Sequence, residues 1–374
     1  MEWLYNIPIV LWCFWVFVFG LGIGSFLNVL IARLPYEKSV LWPGSRCMTC
    51  LRPLRVWDNL PIIGYLRLRG RCRFCGTTFS SRYLWIELGT GAMFLGLFVL
   101  EILGNWHAIP GLNFHPFTGL SALPPAKACI HFLSLAFLFS ILLASSMIDL
   151  KFRIIPGQLT YTGTLVGIAV STFCPWPFPS EPSALPNLVG NPSWILPQWQ
   201  GKIPTGLALW PFWGPPPSWA PAGSWQMGLL TGLFGALAGQ FAGRAVKFLF
   251  EIGFRRDSLG LGDADLMMMA GAFLGWQIAV LSLPAGAMIL LPIVIPLKII
   301  QYLMGKEVHS ELPFGPGIAL GIAACWLGWH WIGELVRIAF FDSVMLFFLT
   351  FVVGGSLLVM GLILRRGPVE TTNG

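Results

Sequence analysis

Runs of about 20 apolar residues constrain this chain more than any other feature, because each is long enough to cross the hydrocarbon core of a bilayer as a helix. They fall at 7–31, 83–104, 129–148, 157–173, 227–249, 266–282, 284–304, 317–335 and 343–364. In lipid the backbone must satisfy its own N–H and C=O groups, which a helix does within one segment. The expected fold is an all-α polytopic membrane protein with about nine transmembrane helices. Leu266 to Leu297 is too long for one crossing and is expected to divide near Pro284. With 56% of residues hydrophobic and 10% charged, the composition excludes an ordinary soluble domain.

Basic residues favour the cytosolic side of short loops. An external N-terminus and internal C-terminus put all of the 23 Lys and Arg residues inside except Lys127, Lys202 and Arg337. The net charge of +7 thus reads as a topology signal, and no interleaving of basic and aromatic residues argues for nucleic acid. The first 31 residues do not read as a cleaved signal, because Glu2 stands where a basic residue is expected and the apolar run is too long.

The longest soluble segment on the expected cytosolic face, Arg33 to Arg82, contains Cys47-Met48-Thr49-Cys50 and Cys72-Arg73-Phe74-Cys75. Two such knuckles close a tetrahedral thiolate site for zinc, and the metal stabilises a loop too small to have a core. Two local disulfides, free thiols and an iron–sulfur centre are the alternatives, and a reducing cytosol disfavours the disulfides. Cys13, Cys129, Cys174 and Cys325 are scattered in or near spans and read as buried apolar residues. The five histidines show neither HxxxH nor HExxH spacing, so a zinc-protease active site is not supported.

Acids at membrane boundaries cost about 2.5–3.5 kcal/mol at a helix centre, which makes them functional candidates. Asp149 ends the run from Cys129, and Asp263 stands in Leu259-Gly260-Leu261-Gly262-Asp263-Ala264-Asp265 at the mouth of the run from Leu266. Both lie at the cytosolic end of their helices in the expected topology. Together they form a candidate carboxylate dyad, in which one shared proton avoids two adjacent charges; the alternative is that such aspartates cap helices. Asp265, about 200° around a helix from Asp263, is expected to cap the sixth span or favour its dipole. Gly20 and Gly24 in the first span, and Gly228, Gly232, Gly235, Gly239 and Gly243 in the fifth, have spacings that let helices pack closely. Ser25 and Asn28 read either as inter-helix contacts or as part of a site.

The order of several motifs resembles bacterial type IV prepilin peptidases. These are Gly24-Ser25-Phe26-Leu27-Asn28-Val29, Arg33-Leu34-Pro35, the paired CxxC knuckles, Asp58-Asn59 with Pro61, and Arg82-Tyr83 with Glu87-Leu88. In the second half they are Ile148-Asp149 with Ile155-Pro156, Gly260-Leu261-Gly262-Asp263, and Pro313-Phe314-Gly315-Pro316 with Ala319-Leu320-Gly321. The resemblance covers about 1–105 and 130–330. It implies an enzyme of the cytoplasmic membrane that removes the leader of type IV prepilins or type II secretion pseudopilins at the cytosolic face. It further implies methylation of the new N-terminus with S-adenosylmethionine. Asp149 and Asp263 become the catalytic pair, Pro156, Gly260 and Gly262 their motif support, and Glu87, Asp58 and Asn59 candidate cofactor contacts.

The expected parts are 1–105 (methyltransferase-like, with the zinc loop), 127–335 (peptidase), a Pro/Trp-rich extracytoplasmic insertion at 174–225 and an extra span at 343–364. The sequence departs from the family at Gly157, where Asp is usual, and at Asp265, where Lys is common. A peptidase without methyl transfer, a transporter using the two acids as a relay, and a receptor or assembly factor with a zinc loop are the other readings.

Overall fold

A computed structural model describes residues 2–107, 125–174, 218–221, 224–254, 260–305, 314–329, 331–332 and 343–364. Their regular elements are helices, with no β-strand among the described residues. The elements are α1 (Glu2–Arg33), α2 (Ile63–Arg67), α3 (Arg82–Leu97, continued by a π turn over Phe98–Leu103), α4 (Ala126–Phe152), α5 (Gly157–Phe173), α6 (Trp225–Phe254), α7 (Leu261–Leu274), α8 (Trp276–Leu303), α9 (Phe314–Leu327) and α10 (Ser343–Leu364). Of the expected insertion at 174–225, only Cys174, 218–221 and 224–225 are among the described residues.

Among the described residues, five segments are long and apolar enough to cross a membrane: Ile7–Tyr36, Arg82–Leu103, Ala126–Phe152, Trp225–Ile252 and Trp276–Gln301. Of the other expected runs, α10 spans 22 residues and α5 17, whereas α7 and α9 have 14 each, about 21 Å of helix against a hydrocarbon core near 30 Å. The break expected near Pro284 lies instead at Gly275, whose φ of 85° and ψ of 167° suit a residue without Cβ. Pro284, Pro292 and Pro296 all sit inside α8. Proline is tolerated in apolar helices where neighbouring groups satisfy the freed backbone, so it is the weaker predictor of a helix end here.

The chain divides into two compact units, Met1–Pro156 and Gly157–Gly374. In the first, α1 packs along α3 on a face made by Gly20, Gly24 and Asn28, spaced four apart. A Cβ on Gly24 would stand 2.7 Å from Glu87 Cα, and one on Gly20 would stand 2.9 Å from Gly91 Cα. Asn28 completes the row by donating its Nδ2 to the Tyr83 carbonyl at 3.1 Å. The expected glycine packing is therefore present, and Asn28 is an inter-helix contact.

The far end of α3 widens into its π turn and buries Glu101 completely. A buried carboxylate needs partners. His107 Nδ1 lies 2.6 Å from Glu101 Oε1, and His131 Nε2 of α4 lies 3.1 Å from Oε2, tying α3 to α4.

In the second unit α6 lies against α7 through its glycines. A Cβ on Gly235 would collide with the Gly271 carbonyl, one on Gly239 with the Met267 carbonyl, and one on Gly243 would stand 2.7 Å from Ala264 Cα. The other side of α7 is held by α5, where Ser171 Oγ donates to the Ala272 carbonyl at 2.6 Å.

The α1–α3 contact generates a matched test. Gly24→Ala is expected to lower stability by about 1–3 kcal/mol, as overpacking does. Gly22→Ala, where an added Cβ meets nothing within 4 Å, is expected to be neutral or slightly stabilising. Thermal unfolding of both variants in detergent checks the pair.

Candidate functional site

Both CxxC stretches wind the same way. Leu51 N–H returns to the Cys47 carbonyl at 3.0 Å and Gly76 N–H to the Cys72 carbonyl at 2.9 Å. Cys47 N–H donates to Arg52 and Cys72 N–H to Thr77, and an isolated bridge closes each turn, Arg46 with Pro53 and Arg71 with Thr78. The residue after the second cysteine is left-handed in both, Leu51 at φ 58° and Gly76 at φ 70°.

The turns bring the four Sγ atoms within 4.8 Å of one another. Cys47 and Cys75 are 3.7 Å apart and Cys50 and Cys72 3.9 Å. A tetrahedron with metal–sulfur bonds of about 2.3 Å has edges of about 3.8 Å, so this donor set fits such an ion as it stands. The Thr77 hydroxyl, 3.3 Å from Cys75 Sγ, and then the Thr77 backbone N–H hold the Cys75 thiol at about 6, favouring the thiolate that binds metal. All eight cysteines are free of disulfides. Of the four outside the loop only Cys325 is buried, and Cys129 is exposed, so the expectation that all four are buried is corrected.

Asp58 joins the loop's parts. Arg73, inside the second knuckle, donates Nε to Asp58 Oδ2 at 2.9 Å and Nη2 to Oδ1, and this guanidinium holds the Asp58 carboxyl below its ordinary range. Glu87 of α3 accepts the Ile62 N–H at 2.7 Å, fixing a residue that sits at φ 60° before α2. Two of the three expected cofactor contacts thus hold the loop's shape. The third, Asn59, lines a cleft of about 430 Å³ between α1 and the loop, with Ser25, Phe26, Arg33, Leu41 and Pro61. Arg33 fastens the opposite wall by donating to the carbonyls of Ser39, Val40 and Gly44.

Asp149 lies buried in the last turn of α4. Its carbonyl accepts the N–H of Arg153, which ends the helix at φ 59°, and Ile155-Pro156 follows before Gly157 opens α5. Asp263 belongs to the second unit. Gly260 is the N-cap of α7, and Asp263, three residues on, accepts the Gly260 N–H at Oδ2, 3.0 Å away. Glycine has no side chain to reciprocate, so this is half of a capping box. Gly262 stands in the first turn beside it.

The capping role expected of Asp265 is therefore corrected: Asp263 makes the capping contact. Asp265 is equally buried, 6% exposed like Asp263, and its Oδ1 accepts Gln240 Nε2 of α6 at 3.0 Å. Sequence spacing placed Asp265 on the opposite side of the helix, but a glutamine 25 residues away was not legible as its partner.

A prediction follows from the Glu87 contact. Glu87→Gln keeps an oxygen for Ile62 N–H, whereas Glu87→Leu removes it and leaves a buried donor unsatisfied, at about 1–3 kcal/mol. Limited proteolysis between residues 39 and 62 is expected to accelerate in Glu87→Leu and to stay near the parent rate in Glu87→Gln.

Residues 18–100 match the family model described as the Bacterial Peptidase A24 N-terminal domain. The chain is 30% identical over 268 residues to a prepilin leader peptidase/N-methyltransferase of Myxococcus xanthus (strain DK1622), covering 71% of this chain and 57% of that protein. Proteins with the same name from Burkholderia pseudomallei (strain 1026b) and Pseudomonas putida are each 26% identical, over 82% of this chain and 82% of the first, and over 85% of this chain and 90% of the second. No solved structure matches the chain. An N-terminal domain match that spans both knuckles, together with similarity over most of the chain, makes this protein similar to bacterial prepilin leader peptidase/N-methyltransferases.

Proposed function

We propose that this chain cleaves the leader from type IV prepilins or type II secretion pseudopilins and methylates the amine that cleavage exposes. The observation that carries the reading is the pair of buried helix-end aspartates, Asp149 and Asp263, in a chain similar over more than four-fifths of its length to leader peptidase/N-methyltransferases. Similarity also supports placement in the cytoplasmic membrane, with 127–335 as the peptidase and 1–105 as the methyl-transferring part, while the expected topology puts the 174–225 insertion outside. The distribution of basic residues supports an external N-terminus and a cytosolic active site.

In this mechanism the two carboxylates share one proton and hold one water. The ionised member takes a proton as the water oxygen bonds to the scissile carbonyl carbon, while the protonated member polarises the carbonyl oxygen. Collapse breaks the C–N bond, and the departing nitrogen takes up a proton from the pair. The leader leaves with a new carboxyl group and the mature protein with a new amine.

S-adenosylmethionine, when bound, supplies the methyl group for that amine. The cleft between α1 and the loop suits it in size. Asn59 and Ser25 give that cleft polar lining, and Arg33 gives it positive charge. Asp58 and Glu87 shape its surroundings through Arg73 and Ile62. The four cysteines hold a structural zinc that fixes the loop carrying Asn59, in keeping with their near-tetrahedral spacing.

Three outcomes test this. Asp149→Asn and Asp263→Asn are each expected to lower leader cleavage by roughly 10³-fold or more, with the variants still folded and inserted. Purified protein is expected to contain one zinc per chain and to lose it on Cys50→Ser; well under one zinc in the parent contradicts the assignment. A prepilin-like peptide incubated with labelled S-adenosylmethionine is expected to lose its leader and gain one methyl group. Leader loss without methylation leaves a peptidase alone, and the absence of both events refutes the proposal.

A further inference from the structure

Asp265 stands two residues beyond Asp263 in the same helical turn, so the two side chains leave α7 about 200° apart. Both are 6% exposed. One side of the turn is fixed by the Gly260 N–H on Asp263 and the other by Gln240 Nε2 on Asp265. Tyr161 of α5 also faces Asp265, and Arg244 of α6, one turn beyond Gln240, acts on Tyr161. Gly239 and Gly243 beside these residues bring the α6 backbone against Met267 and Ala264, close enough for the glutamine to reach. The Oε1 of Gln240 has no hydrogen-bond partner among the described residues, so the amide is oriented by its bond to Asp265.

We propose that Asp265, gripped by Gln240 and faced by Tyr161, is a positioning group that sets the rotation of the first turn of α7 and thereby aims the Asp263 carboxylate. A carboxylate stands about 6 Å from the helix axis. A rotation of about 10° therefore moves it about 1 Å, and a displacement of that size costs about 10²-fold in rate where geometry is decisive. Capping alone cannot prevent the rotation, because Gly260 and Asp263 belong to the same segment and turn together. A hold from outside α7 is required, and Gln240 provides it from α6.

The proposal rests on the reading of Asp263 as a catalytic residue, and its test has one readout that does not. With a prepilin-like peptide, Asp265→Leu and Gln240→Leu are expected to lower kcat about 10²-fold while KM stays within about threefold. Asp265→Asn, which keeps an oxygen for Gln240 Nε2, is expected to recover to within about tenfold of the parent. In the absence of substrate, hydrogen exchange at the Gly260 amide is expected to accelerate in both leucine variants and to remain near the parent rate in Asp265→Asn. Parent-like kcat or unchanged Gly260 exchange in both leucine variants overturns the proposal. Abolition of cleavage by Asp265→Asn, to the level of Asp263→Asn, also overturns it by making Asp265 a member of the reacting pair. If the parent cleaves no prepilin-like peptide, the peptidase reading fails, and the exchange result alone decides whether Asp265 orders the turn.

Discussion

Helices in lipid gain little by burying apolar side chains against each other, because the surrounding tails are just as apolar. Cohesion must come from close backbone packing and polar contacts, and both helical units are built on that constraint. In the first, Gly20, Gly24 and Asn28 bring α1 onto α3; in the second, Gly235, Gly239 and Gly243 bring α6 onto α7. The functional candidates depend on these contacts. Glu87 reaches Ile62 from the face of α3 that Gly24 meets, and Gln240 reaches Asp265 beside the glycines that clear α6 for α7.

The loop between α1 and α3 meets a different constraint, since it is too short to bury a core. Its order comes from the cysteine knuckles, the Asp58–Arg73 pair that joins the second knuckle to the Asp58-Asn59 run, and the carbonyls gathered by Arg33. Each is a contact made by charged side chains or thiols across the loop. Such contacts organise a small polar segment without apolar area, and they leave room for the cleft beside Ser25 and Asn59.

Much of this was legible before any coordinates. Apolar runs gave the helices, cysteine spacing gave the thiolate cluster, and glycine spacing gave two helix faces, because each is a local pattern with one dominant physical cause. What failed to show depends on partners distant in sequence or on competition between local signals. Pro284 looked like a break, yet α8 absorbs three prolines while Gly275 makes the turn. Asp265 looked like the cap, but capping depends on which residue is third in the helix, and that is Asp263. Asp58 and Glu87 read as polar residues near a cofactor, and only the fold shows that Arg73 and Ile62 engage them. The left-handed residue after each knuckle was half legible, since Gly76 signals it and Leu51 does not.

The central claim is that Asp149 and Asp263 act on one water. Replacing both by cysteine, in a chain whose Cys13, Cys129, Cys174 and Cys325 are serine and whose loop cysteines are kept, tests it most directly. Two carboxylates that share a water leave their Cβ atoms within about 10 Å of each other, wider than a direct disulfide needs but within the span of a short bismaleimide. A bismaleimide of that span, applied to native membranes, is predicted to link Asp149→Cys to Asp263→Cys, read as a peptide pair by mass spectrometry and missing from each single-cysteine variant. Failure of the pair to link, in protein shown to be folded and to bear both thiols, would contradict the dyad.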